Sequence, residues 1–127
     1  MPITVPIQEI KEQTTGKYSG QITDLDGSTA LALASISTIV LSLYVIDKEG
    51  VTRYINSRQA QDVKNLNNVT ISAGGALVWS IQTADSRMYD LSLPFEDHHV
   101  LFEWTDTSGN RGKRRRILRV RNLTAVL

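Results

Sequence analysis

Apolar residues recur at every second position along most of this chain. In "STIVLSLYVID", Ile39, Leu41, Leu43 and Val45 take one side, and Thr38, Ser42 and Tyr44 take the other. A period of two belongs to a strand with one buried face, because successive side chains leave opposite faces of the backbone. Glu49-Gly50 then turns the chain, and "VTRYIN" returns as a short partner strand. "NVTISAGGALVWSIQ" predicts a second hairpin. Val69, Ile71 and Ala73 point inward, Gly74-Gly75 supplies the positive φ angles of a tight turn, and Leu77, Trp79 and Ile81 line the return. A third hairpin spans Asp97 to Leu123. Val100, Phe102 and Trp104 share one face, "TSGNRG" turns, and Leu118 and Val120 (or Ile117, with a bulge) come back on the core side.

The remaining segments are less regular. "GQITDLDGSTALAL" reads as a small β-arch around Asp24 to Gly27. Ser57 to Asn68 predicts one or two helical turns, with Ala60, Val63 and Leu66 three apart and Ser57 as N-cap. "TADSRMYDLSLPFED" has little period and reads as a crossover loop. The expected fold is all-β: a single immunoglobulin-like β-sandwich of about seven strands over residues 19–127, with one short helical turn. Trp79, Phe102 and Trp104 are its expected core anchors. Residues 1–18, with Pro2 and Pro6, read as an extended N-terminal arm outside the sandwich. Ile3, Val5, Ile7 and Ile10 are the arm residues available for burial against a neighbour.

Composition narrows the class. A chain of 127 residues suits one domain, and 41% hydrophobic with 21% charged residues is ordinary for a globular protein. Cysteine is absent, which excludes disulfides, zinc–thiolate sites and thiol nucleophiles. The first residues lack the basic and apolar regions of a signal peptide. The most apolar stretch, Ala30 to Ile46, is interrupted by serines and a threonine, so no membrane partner is expected. The sequons at Asn68 and Asn122 read as chance in the absence of a secretory signal.

Net charge is only +1, but it is unevenly spread. Seven of the 14 Lys and Arg lie between Arg111 and Arg121, and all 13 acids lie at or before Asp106. Arg111, Lys113, Arg114, Arg115 and Arg116 form a basic hairpin ridge. Two readings of it are open. It could grip phosphates, although no aromatic residue interleaves the cations to stack on bases. Alternatively it is a solvated or interface-facing strand, partly neutralised by Asp97, Glu103 and Asp106 on the partner strand.

Other candidates are weaker. "DLDGST" lacks the glycine and glutamate positions of a calcium loop. His98 and His99 are adjacent, so on a strand they face opposite ways and cannot share a metal. No nucleophile elbow, dinucleotide fingerprint or phosphate loop occurs. The chain is therefore expected to have no catalytic residues, no metal site, no cofactor and no small-molecule substrate.

The features "LSLYVID", "NSRQAQDV…NNVTIS", "HHVLFEW" and "RVRNL", spread over Gln21 to Leu123, resemble a group of small virion proteins of tailed bacteriophages with an immunoglobulin-like fold. The domain plan is also similar to the amino-terminal fold of phage baseplate upper-fibre proteins. The resemblance implies a structural part of the virion, made in the bacterial host cytoplasm: a head–tail connector or neck component, a decoration protein, or a baseplate or fibre adaptor. Its partners would be further copies of itself and neighbouring virion proteins. The alternatives are a nucleic-acid-binding module using the basic hairpin, and a host-surface or carbohydrate-binding tail domain using Tyr18, Tyr44, Tyr54 and Tyr89.

Overall fold

A computed structural model of the chain describes residues 7–23 and 29–123. Nine strands run through them: β1 (Ile7–Lys11), β2 (Gly16–Gln21), β3 (Ile36–Ile46), β4 (Thr52–Tyr54), β5 (Gln61–Asp62), β6 (Val69–Ile71), β7 (Ala76–Ile81), β8 (Phe95–Asp106) and β9 (Arg111–Arg121). The larger sheet has the order β1-β9-β8-β3-β4, with β5 also paired to β3, and the smaller has the order β2-β7-β6. The two sheets pack face to face as an all-β sandwich.

The core lies where alternation placed it. Ile39, Leu41 and Leu43 on β3 are sealed from solvent, and Val69, Ile71, Leu77, Trp79 and Ile81 line the opposing sheet. Trp79 and Phe102 meet edge to face at 6.1 Å, and Tyr18 stacks on Phe102 at 5.7 Å. Trp104 is buried with its indole N–H donating to the Thr23 carbonyl at 3.1 Å. Leu118 and Val120 face this core while Ile117 points outward, so β9 needs no bulge.

Four expectations are corrected. Residues 7–18, expected in an arm outside the sandwich, instead supply β1 and the start of β2. β1 pairs in parallel with the end of β9, Ile7 opposite Ile117 through Lys11 opposite Arg121, and β2 pairs antiparallel with β7. Ile10 accordingly packs against the core, while Ile7 stays 52% exposed at the sheet edge. Ile3, Val5 and the expected turn at Asp24 to Gly27 lie outside the described residues. Second, Ser57 to Asn68 is not helical. Asn56, Ser57, Ala60, Asn65, Asn67 and Asn68 all have left-handed φ angles between 47° and 74°, which no α-helix accommodates. Of the three-residue stripe only Val63 is buried; the short helical turn lies instead at Leu33–Ser35. Third, the described residues hold nine strands, several of them only two or three residues long, where about seven were expected. Fourth, Ala73 is exposed, and only Gly75 of the glycine pair has a positive φ, +83°. A Cβ there would run into the Leu31 carbonyl.

Among the described residues no helix is long and apolar enough to cross a membrane. Gly112 shows how closely the hairpin is fitted, since a Cβ at this position would lie 2.5 Å from the Trp104 indole nitrogen. Gly112→Ala is therefore expected to lower stability by about 1–3 kcal/mol through overpacking, measured as a shift in the denaturant midpoint with unchanged slope.

Candidate interaction site

The β8–β9 hairpin sets the direction of every residue in the basic ridge. Phe102 lies opposite Arg114, Val100 opposite Arg116 and Leu101 opposite Arg115. Since Phe102 and Val100 face the core, Arg114 and Arg116 face inward too, at the end where the sandwich opens. The Arg116 guanidinium lies over the Tyr18 ring at 4.9 Å, and its stem helps to cover that ring. Arg111, Lys113 and Arg115 are exposed on the outer face. The ridge is thus divided between both faces of one strand.

The expected cross-strand acids do not neutralise it. Asp97 pairs with Arg119 through a two-bonded fork, 2.8 and 3.0 Å, further down the hairpin. This hydrogen bond raises the Arg119 pKa above its ordinary value. Asp106 accepts the amides of Ser108 and Asn110, each at 2.9 Å, and so shapes the turn. Glu103 is opposite Lys113, yet no ion pair joins them, and among the described residues none of the five ridge cations has an acidic partner. Arg121 instead reaches Glu9 on β1 at 2.7 Å.

Among the described residues β8 flanks the whole of β9, and β1 flanks Ile117 to Arg121. The Arg121 carbonyl accepts the Glu12 amide on the β1 side. Counting back by twos, the backbone groups of Arg115, Lys113 and Arg111 point to that same side, where no described strand meets them. A shallow hollow of about 530 Å³ lies nearby on the outer face, lined in part by Val40, Glu103, Arg111 and Lys113.

The potentially reactive side chains lie elsewhere and are enclosed. Arg58 and Asp85 form a buried ion pair at 2.6 Å, and the guanidinium uses its remaining donors on Gln61, Asn67 and Asn68. Asp85 also accepts from Asn56 and from the Gln82 amide. The fully buried His98 contacts the Asp85 carbonyl at 3.2 Å and Glu96 at 2.7 Å. Burial pushes the Glu96 carboxyl up, but His98 and the amides of Tyr89 and Asp90 outweigh it and hold the pKa below its ordinary 4.5. This network holds the crossover loop, residues 82–94, against the large sheet. Sequence reasoning missed it, because Arg58 lies in the segment read as helical and Asp85 in one read as featureless.

His99 faces the other way, stacked on Tyr44 at 5.0 Å, as the adjacency of the two histidines predicted. Burial and the neighbouring Arg115 charge hold its imidazole below the ordinary value. The four tyrosines do not converge on one groove. Tyr18 is in the core, Tyr44 and Tyr54 share the outer face of the large sheet, and Tyr89 lines a groove of about 550 Å³ at the far end from the basic tip.

No family model, curated protein or solved structure matches the chain.

Two outcomes follow from this geometry. Replacing Arg111, Lys113 and Arg115 together by alanine should move the melting temperature by no more than about 3 °C, because the three are exposed and unpaired. A larger loss in calorimetry would mean that they hold the fold. Glu96, depressed in the folded state, adds stability above pH 4.5 that is lost as pH falls through its lower folded value. Glu96→Gln should be less stable at pH 7 and should show a shallower acid slope in denaturant titrations between pH 5 and about 3.

Proposed function

We propose that this chain is a non-enzymatic structural protein of a tailed-bacteriophage virion, present in several copies and contacting neighbouring virion proteins through the tip of its β8–β9 hairpin. A neck, connector or decoration position fits the resemblance of its strand segments. One observation carries the reading: five cations crowd one end of the sandwich, and among the described residues none of them has an acidic partner. Charges left unpaired at a surface favour a complementary partner, and arginine forks suit carboxylates.

The enclosed network supports the absence of catalysis. Arg58, Asp85, Glu96 and His98 are buried with their charged and ring atoms engaged, and a general base must be within reach of a substrate proton. The contact role first expected of the arm passes to β9, since residues 7–11 are committed to the chain's own sheet. A nucleic-acid partner fits less well. The cations point to opposite faces of the strand, so they do not line one groove that could follow a phosphate backbone.

Mass spectrometry of purified phage particles from the source strain should recover the chain in fixed proportion to the capsid protein. Its presence only in the cytosolic fraction would contradict the proposal.

A further inference from the structure

Among the described residues, exposed apolar side chains gather most densely at the end of the sandwich opposite the basic tip. Tyr89, Leu91, Leu93 and Phe95 alternate along the segment that leads into β8, and Ile46 faces them from the end of β3. Leu91 is 62% exposed, and Ile46 and Tyr89 are half exposed. All but Leu91 line the groove of about 550 Å³. Taking about 200 Å² for each large side chain, the five leave roughly 480 Å² exposed, a patch of the size that marks an interaction site. The segment is firmly held. The Asn122 side-chain amide donates to the Leu91 and Leu93 carbonyls, and its backbone amide donates to the Pro94 carbonyl. The Glu96 carboxylate accepts the amides of Tyr89 and Asp90. The buried network of Arg58, Asp85, His98 and Glu96 thus ends by fixing apolar side chains outward, an arrangement from which a lone copy gains nothing.

We infer that this end is a self-association surface, which joins two copies of the chain base to base about a twofold axis. The rim of the groove carries both signs, with Lys48 beside Glu49 on one wall and Asp90 on the other. A second copy therefore meets no net repulsion there, and a twofold can set each cation against an acid. The cations of the tip would instead repel their own kind. Mostly apolar contact is the character of homodimer interfaces. The five side chains supply about three-fifths of the roughly 800 Å² that each partner gives to a standard interface, and Pro94 and the rim extend it. Because the segment is already fixed, pairing orders few further groups. The chain leaves β9 on the other side of β8 from this groove, where the Leu123 amide donates to Glu12. β8 has 12 residues, so each copy is about 40 Å long and the pair forms a strut with basic tips roughly 80 Å apart. The use of that strut, two equivalent tips turned toward separate neighbours, rests on the assembly reading above; the pairing itself does not.

Sedimentation equilibrium on the full chain should give twice the single-chain mass, with a Kd in the micromolar range. Leu91→Lys combined with Leu93→Lys should weaken the pairing at least tenfold, because it places charge in the apolar contact. Arg111→Ala, Lys113→Ala and Arg115→Ala together should leave the pairing within twofold; circular dichroism checks that both variants fold. The chain has no cysteine, so single spin labels can be attached through Ser92→Cys or Ser108→Cys. Pulsed electron paramagnetic resonance should find the Ser92→Cys labels within about 40 Å of each other and the Ser108→Cys labels beyond that range. A single-chain mass across the micromolar range, pairing unchanged in the Leu91–Leu93 double variant, or a short distance between labels at position 108 would each overturn the inference. So would pairing that appears only after removal of residues 124–127, which would assign the groove to the chain's own C-terminus. Failure of the assembly reading is detected separately, by absence from particles.

Discussion

The 11 residues of β9 are paired with β8 from Phe95–Arg121 at one end to Thr105–Arg111 at the other. That register decides which side of the hairpin is core and which is surface. A slip of β9 by one residue would turn Leu118 and Val120 to solvent and bring Arg115 and Arg119 into the apolar layer, because β3 holds the facing of β8. The core contacts of Phe102 with Trp79 and Tyr18 hold the register from inside, and the Gly112–Trp104 fit holds it at the tip. The same register delivers three cations to the outer face and two to the mouth of the sandwich. The surface chemistry of the tip is thus a consequence of how the core is packed.

A second constraint operates at the opposite end of the hairpin. Arg58 and Asp85 are charged groups removed from water, and such a pair is tolerable only when nearly every donor and acceptor is met. The hydrogen bonds from Arg58 to Gln61, Asn67 and Asn68 meet that condition, and they explain why the chain around it adopts left-handed residues rather than a helix. Through His98 and Glu96 the network reaches the start of β8 and the loop before it. One end of the sandwich is therefore closed by satisfied polar groups, while the other carries cations that have no acidic partner among the described residues.

Much of the sandwich was legible because alternation is local. Ile39 to Val45, Val69 to Ile71 and Val100 to Trp104 declare their faces within a few residues, and the Glu49-Gly50 and Gly74-Gly75 signals declare their turns. The split of the basic strand was legible for the same reason. The parts that escaped depend on contacts distant in sequence. Nothing near Ile7 announces that it pairs in parallel with Ile117, and prolines at 2 and 6 favoured reading an arm. Ala60, Val63 and Leu66 mimicked a helical stripe, although Asn65, Asn67 and Asn68 were a readable hint of left-handed backbone. Asp97 was correctly placed as a cross-strand acid, but its partner is Arg119 rather than a ridge residue, because strand register sets the pairing.

Amide hydrogen exchange by NMR on the isolated chain tests this account most directly. Gly112, Arg114, Arg116, Leu118 and Val120 donate toward β8, so all five amides should be protected from the tip to the base of the hairpin. Fast exchange at Gly112, Arg114 and Arg116 would mean that the tip is not a strand in this register, and would contradict the account.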